Sequence, residues 1–276
     1  MIRTLRIGKT DFNIGERTYI MGILNITPDS FSDGGHFTQI EDALAHVQEM
    51  IEEGADIIDV GGESTRPGHI QISEEEEIQR VVPVIKAIRE RFEIPVSIDT
   101  YKSRVARAAI LAGADLVNDI WGLKKDPDMA KVVKEYNVSV CIMHNREKPV
   151  YNNFRSDMIN DLKKSVDIAL KAGINKDKLI IDPGIGFGKT YEMNLEAMNH
   201  LEDLLQFDMP ILLAASRKSV IGITLDLPVT VREEGTIATS VLGVMKGCHF
   251  VRVHNVAGNL RAIRMTEAIL KNQEQK

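Results

Sequence analysis

An eightfold alternation constrains this chain more than any other feature. Short β-branched or apolar runs end in polar residues, and each is followed by a longer stretch with helical periodicity. The runs are 19–25 (YIMGILN), 56–60 (DIIDV), 95–99 (PVSID), 115–119 (DLVND), 138–143 (VSVCIM), 178–182 (KLIID), 210–215 (PILLAA) and 249–254 (HFVRVH). Their spacing of about 20 to 40 residues is that of βα units in a parallel sheet. Eight such units predict an α/β fold, a (β/α)₈ TIM barrel. An open doubly wound sheet is the alternative that the same pattern allows. Residues 1–18 precede the first run and read as a hairpin with its turn near Thr10–Asn13, placed to plug the N-terminal end of the barrel. No linker, low-complexity stretch or break in composition interrupts the pattern, so residues 1–276 are expected to form a single domain.

Composition removes several classes of function. An apolar fraction of 43% with 27% charged residues supports a buried core and excludes a disordered or collagen-like chain. No apolar run reaches the roughly 18 residues of a spanning helix, and the first residues lack the apolar core of a secretory signal. A cytoplasmic protein with no membrane partner is expected. With 40 acidic against 34 basic residues, the net charge of −6 argues against a nucleic-acid partner held by a broad basic surface. Cys141 and Cys248 lie far apart with no CxxC partner, so both are expected in the core rather than in a disulfide or a zinc site.

Helix starts are signalled by capping-box spacing at Thr38–Glu41, Ser73–Glu76 and Thr230–Glu233, and by Asp126 ahead of Pro127. The acidic run 74–77 then opposes a helix dipole rather than binding metal. Gly113 and Gly173 follow helical stretches and are expected as C-caps.

In a parallel barrel the chemistry sits at the C-terminal strand ends. Here those ends carry Asn25, Asp59, Asp99, Asn118, Asp119, His144, Asp182, Ser216, Lys218, Arg252 and His254. Residues two apart on a strand share a face, which aligns Arg252 with His254, and Ser216 with Lys218 if that strand continues so far. Arg252, His254 and Lys218 would give an electropositive side; Asp99, Asn118 and Asp182 would face it with acceptors and an amide. The pair suits a ligand with an anionic end and a heterocycle rich in N–H donors. An internal salt-bridge layer is the competing account of the same residues. Two glycine-bearing loops, 27–35 and 61–68, hold Ser30, Ser32, Asp33, Ser64, Thr65 and Arg66, the make-up of active-site lids. The turn 182–188 has glycines that let backbone approach a ligand, but not the spacing of a dinucleotide fingerprint. GxSxG, Walker A and HExxH motifs are absent.

The segment Met21–Gly35 (MGILNITPDSFSDGG) resembles the first signature of the dihydropteroate synthase family of pterin-binding barrels, and Asp59–Gly68 (DVGGESTRPG) resembles the second. Ser97–Thr100, Asn118–Gly122, Met143–Asn145, Asp182–Phe187, Ser216–Ser219 and Arg252–His254 resemble the remaining motifs in order, over about residues 19 to 270. Asn255 stands where the family often has Asp; either can cap the next helix.

The resemblance implies an enzyme of folate biosynthesis. It would condense (7,8-dihydropterin-6-yl)methyl diphosphate with 4-aminobenzoate, giving 7,8-dihydropteroate and diphosphate. It also implies a Mg²⁺ cofactor, small-molecule substrates as partners, and a homodimer. Carried over by position, Asp99, Asn118, Asp182 and Lys218 hold the pterin, walled by Met143 and Phe187. Arg252 and His254 take the diphosphate. Asn25 and Asp33 are the implied metal ligands, and Phe31, Thr65, Arg66, Pro67 and Ser219 frame the aminobenzoate. Asp99, Lys218, Arg252 and His254 carry the implied catalytic roles, His254 either as a general acid or as a simple hydrogen-bond donor. A methyltetrahydrofolate–corrinoid methyltransferase and a non-catalytic pterin binder are the rival classes. The first needs neither the two loops nor the Arg252/His254 pair.

Overall fold

In a computed structural model, described for residues 3–26, 36–63 and 71–274, the chain opens with an antiparallel hairpin. Its strands are β1 (Arg3–Ile7) and β2 (Thr10–Ile14). The reversal falls at Gly8 and Lys9, with Gly8 at φ 60°, and not at Thr10–Asn13, which belong to β2. Glycine is required there: a Cβ would lie 2.4 Å from a carboxylate oxygen of Asp115.

Parallel strands then alternate with helices: β3 (Tyr19–Asn25), α1 (His36–Glu52), β4 (Ile57–Gly61), α2 (Glu74–Arg91), β5 (Val96–Asp99), α3 (Ser103–Ala112), β6 (Leu116–Asp119) and α4 (Met129–Tyr136). The second half comprises β7 (Ser139–Met143), α5 (Phe154–Lys171), β8 (Leu179–Asp182), α6 (Tyr191–Asn199), β9 (Leu212–Leu213), α7 (Ser219–Leu225), α8 (Glu233–Met245), β10 (Phe250–Val253) and α9 (Val256–Glu274). The sheet runs β8-β7-β6-β5-β4-β3-β10-β9, and a parallel bridge between Ile181 and Ile211 joins its two ends. The expected eight-stranded barrel is the fold, and the open sheet is excluded. All eight sequence runs became strands, within one residue of their expected limits except at β9, which loses two at each end and keeps only two residues.

Helix boundaries were less legible. Ser73 caps α2, its hydroxyl accepting from the Glu76 N–H at 3.1 Å, and Gly113 ends α3 at φ 119°. The other three start signals were misplaced. Helix α1 already begins at His36, so Thr38 lies inside its first turn. Thr230 sits in a 3₁₀ turn, Val229–Val231, ahead of α8. Asp126 receives the Ser103 and Asp128 N–H groups, while α4 starts at Met129.

Strand parity divides the core into two layers. Outward residues such as Ile58, Val60, Ile98, Val117, Val140, Ile142, Ile181 and Val251 pack under the helices. Inward residues Tyr19, Met21, Ile57, Leu116, Cys141, Ile180, Leu212 and Phe250 fill the barrel together with Leu5, Ile7 and Phe12 from the hairpin. Phe12 stands edge-on to Tyr19 at 4.9 Å and 5.6 Å from Phe250, so the hairpin plugs the lower end. Moving up by two on four of the strands, the inward residue turns polar: Ile57 to Asp59, Leu116 to Asn118, Ile180 to Asp182, Phe250 to Arg252. An apolar floor therefore carries a polar rim. Phe12→Ala should remove about 3–5 kcal/mol of stability while leaving ligand affinity at the rim unchanged; urea unfolding alongside ligand calorimetry checks this, and a neutral variant would mean that the plug is dispensable.

Candidate active site

The rim is built by register. Asp59 pairs with Ser97 across the β4–β5 ladder, and Asp99 pairs with Gly61 on one side and Asn118 on the other. Gly61 leaves the space over Asp99 open: a Cβ there would sit 3.7 Å from the Asp99 Cβ and 3.6 Å from Asn25 Oδ1. At the centre stands Arg252. Its Nε donates to Asp59 Oδ2 at 2.5 Å and its Nη2 to Asp99 Oδ2 at 2.7 Å. Asn118 Nδ2 donates to the same Asp59 oxygen at 3.2 Å. The remaining oxygens, Asp59 Oδ1 and Asp99 Oδ1, are buried with no partner among the described residues. Buried acceptors left unpaired are costly, and they mark where a donor-bearing ligand would be held.

The electrostatics follow from sharing one cation between two buried carboxylates. Burial outweighs the pull of Arg252, and Asp59 adds like-charge repulsion, so Asp99 is pushed up to about 7. Asp182 is also raised by burial, against the opposing pull of Lys218 and the Gly184 N–H, which donates to its Oδ1 at 2.6 Å. Burial, with Arg252 adding to it and Asp182 and Asp99 opposing, lowers Lys218 to about 8. The Lys218 ammonium donates to the Ile185 carbonyl and lies 4.5 Å from the centre of the Phe187 ring.

Ser216 and His254 meet directly. Ser216 Oγ lies 2.9 Å from His254 Nδ1 and accepts from the His254 backbone N–H at 3.3 Å. With the serine hydroxyl donating to Nδ1, the ring proton sits on Nε2. Lys218 does not share a strand face with Ser216. Strand β9 ends at Leu213, Arg217 turns through φ 57°, and Lys218 is the N-cap of α7, with Ser219 exposed as the first helical residue. The electropositive and acidic sides expected from sequence are thus partly one interlocked layer, because Arg252 is held by the acids it was expected to face. The salt-bridge layer and the candidate site are built from the same residues. Met143 closes β7, nearly buried, beside Asp182 in the register. Asn25 ends β3 and is exposed. Phe31, Asp33, Thr65, Arg66 and Pro67 lie outside the described residues.

Two polar strand ends serve the scaffold. Asp119 accepts from the Trp121 and Leu123 N–H groups and shapes the loop after β6; burial raises it to about 6. His144 is fully buried, with Nε2 facing Asp161 at 3.5 Å and Nδ1 meeting Lys189 Nζ at 2.8 Å. Burial holds His144 down at about 4 and Lys189 well below its ordinary value. Lys189, which the sequence did not single out, also donates to the carbonyls of Gly184 and Phe187 and so ties down the 182–188 turn. Asp59 was visible as a polar strand end but received no role; its two donors become evident only in the closed barrel.

The fold and this rim define a barrel with a polar rim at its C-terminal mouth, provided with acceptors for a donor-rich ring and cations for an anion. The model of the pterin binding enzyme family matches residues 21–254. A dihydropteroate synthase of Clostridium beijerinckii is 63% identical over 97% of this chain and 100% of that protein. The crystal structure of a dihydropteroate synthase from Clostridium difficile in the presence of pteroic acid superposes with a TM-score of 0.92 at 51% identity, covering 94% of this chain and 98% of that one. The Xanthomonas albilineans dihydropteroate synthase with 4-aminobenzoic acid gives a TM-score of 0.93 at 38% identity, covering 98% of this chain and 99% of that one. The chain belongs to the pterin binding enzymes and, within them, to the dihydropteroate synthase family.

The 182–188 turn gives the local test. Gly184 has φ 69°, and a Cβ on it would meet the His144 backbone oxygen at 1.9 Å. Gly184→Ala should cost at least about 1–3 kcal/mol, the price of a strained non-glycine residue, and should weaken any ligand held by Asp182. Wild-type stability in urea would contradict this account of the turn.

Proposed function

We propose that this chain carries out the reaction of its family, joining (7,8-dihydropterin-6-yl)methyl diphosphate to 4-aminobenzoate with release of diphosphate. The observation that carries the reading is the pair of buried, partnerless oxygens on Asp59 and Asp99, set beside Asn118 and Asp182 above an apolar floor. A reduced pterin has the ring N–H and amino donors that such acceptors lack. Asp99, Asn118 and Asp182 would bind its donor edge and Lys218 its carbonyl oxygen, between Met143 and Phe187. Arg252 and His254 would take the diphosphate, the imidazole through Nε2–H.

Substitution then proceeds by breaking the bond between the exocyclic CH₂ and the diphosphate oxygen. The electron pair leaves with diphosphate, whose charge Arg252 and His254 offset. The electron-rich ring carries the positive charge, with Asp99 and Asp182 close by. The neutral aryl amine forms the new C–N bond and then loses a proton. No protein nucleophile is required, and the fully buried Cys141 is not offered as one.

Mg²⁺ is part of this proposal. Asn25 offers an oxygen donor of the kind Mg²⁺ accepts, beside the opening left by Gly61. Among the described residues no three His, Cys, Asp or Glu side chains gather around one point; Asn25 and Asp33 would hold the ion, whose preference is for oxygen donors. When bound, it would supply charge neutralisation to the leaving group. Phe31, Thr65, Arg66, Pro67 and Ser219 are proposed to frame the aminobenzoate. We also propose that residues 1–276 act as one cytoplasmic domain that pairs as a homodimer. No described helix is long and apolar enough to cross a membrane. Pairing is supported by the exposed Leu195 and Leu225 along an apolar groove of about 300 Å³ between α6, α7 and α8.

Mixing the enzyme with both substrates should release diphosphate and form dihydropteroate in equal amounts; pterin binding without turnover would leave only a binding protein. Asp182→Asn presents a donor to a donor and should weaken binding of the pterin alcohol by about 1–3 kcal/mol. Unchanged affinity by calorimetry would remove Asp182 from the pterin site.

A further inference from the structure

Between the site residues Ser216 and Lys218 stands a residue in a conformation its type rarely adopts. Residues 215–218 form a turn closed by the Lys218 N–H on the Ala215 carbonyl at 3.2 Å. Arg217 is the third residue of that turn, at φ 57°, where glycine or asparagine ordinarily stands. A strained backbone of this kind persists only when its surroundings over-determine it. The Arg217 side chain does not supply that hold: Nη2 stays 3.9 Å from Glu233 Oε2, and Nε is buried with no partner among the described residues.

The backbone is held instead, on both sides of the strained residue. The Arg217 N–H donates to Thr236 Oγ1 at 3.1 Å, and the Arg217 carbonyl accepts from Arg232 Nη1 at 3.0 Å. These two bonds fix the peptide planes flanking the Arg217 Cα, and with them both of its soft dihedral angles. The two holders are themselves joined: the Thr236 hydroxyl donates to the carbonyl of Arg232, the N-cap of α8, at 3.1 Å. Thr236 is fully buried within α8. The Arg232 guanidinium also donates to the carbonyls of Leu227 at 2.9 Å and Lys218 at 3.4 Å, and it lies against Gly222 of α7 so closely that no Cβ would fit there.

We propose that Thr236 and Arg232 are positioning residues: by holding Arg217 left-handed they set Ser216 against His254 and Lys218 against the 182–188 turn at one fixed span. This rests on the function proposed above, in which His254 takes the diphosphate and Lys218 the ring. Binding the ring alone uses one end of the span. Breaking the bond to diphosphate needs both ends at once, so loosening the clamp costs turnover more than ring affinity.

The test compares kcat/KM for the dihydropterin diphosphate, at saturating aminobenzoate, with calorimetry of the pterin alcohol. Spectra of ¹⁵N-histidine-labelled protein, with His254 assigned by its loss in His254→Asn, report the ring tautomer without any turnover. Thr236→Val keeps the side-chain shape and deletes the acceptor. It should lower kcat/KM about tenfold and pterin affinity about threefold. His254, held as the Nε2–H tautomer in wild type, should become a mixture. Thr236→Ser restores the hydroxyl and should bring kcat/KM and affinity to within about twofold of wild type. Arg232→Lys, at a partly exposed position, keeps the charge but not the fork that reaches three carbonyls. It should lower kcat/KM about threefold, and it decides the matter if Thr236→Val does not fold. A folded Thr236→Val or Arg232→Lys with wild-type kcat/KM overturns the proposal, as does a Thr236→Ser as impaired as Thr236→Val. Wild-type enzyme that forms no dihydropteroate would instead overturn the function on which it rests, and the His254 tautomer in Thr236→Val would still decide whether the clamp exists.

Discussion

Two carboxylates and one guanidinium above an apolar floor set the terms for this molecule. Asp59 and Asp99 share Arg252 on top of a floor made by Met21, Ile57, Leu116, Cys141, Ile180 and Phe250. In such surroundings charges are poorly screened, and a group lacking a partner is expensive. The imbalance reaches the neighbours: Asp99 is driven toward neutrality and Lys218 toward losing its proton. The barrel tolerates this because the hairpin and helices bury enough apolar surface elsewhere. A ligand that brings donors to Asp99 and negative charge to Arg252 relieves the imbalance, which makes the ligand-free rim a preorganised site.

The partners that hold each polar strand end separate scaffold from site. Asp119 and His144 end their strands just as Asp99 and Asp182 do. Yet the Asp119 oxygens are occupied by backbone N–H groups, and His144 meets Lys189 Nζ through Nδ1, while its Nε2 lies 3.5 Å from Asp161 with no hydrogen bond among the described residues. Position at a strand end therefore does not by itself confer a role in the site, and Lys218, the N-cap of α7, is assigned one without it. What marks Asp59 and Asp99 is that two carboxylates, each with one oxygen unpartnered among the described residues, share the Arg252 guanidinium, and that arrangement exists only once distant strands have been brought into register.

The same reasoning explains what the sequence disclosed. The strands were legible because each is a short apolar run with helical periodicity on both sides, and the inward switch from Ile57 to Asp59 or Phe250 to Arg252 follows from a period of two. Strand β9 was overestimated because its apolar run 210–215 continues past the point where pairing stops, and the left-handed Arg217 leaves no signal in composition. Capping-box spacing found Ser73 but misplaced the starts at Thr38 and Thr230, since three residues at the right spacing do not fix where a helix nucleates. Lys189 and Thr236 were invisible for a stronger reason. Each takes a partner from a separate segment, 45 and 19 residues away respectively, and no local pattern anticipates such a junction.

The central claim, that Asp99 is held near neutrality until a donor-bearing ring arrives, has a direct measurement. In the free enzyme Asp99 is raised to about 7, so at pH 6.5 it is largely protonated. A ring N–H donor favours the carboxylate, so binding must expel that proton, and affinity must rise as pH increases through 7. Lys218, lowered to about 8, is still protonated at pH 6.5 and contributes little there. Calorimetry of the pterin alcohol at pH 6.5, repeated in buffers of different ionisation enthalpy, should show net proton release that is lost in Asp99→Asn. Heats independent of the buffer, with an affinity flat from pH 6 to 8, would contradict this account.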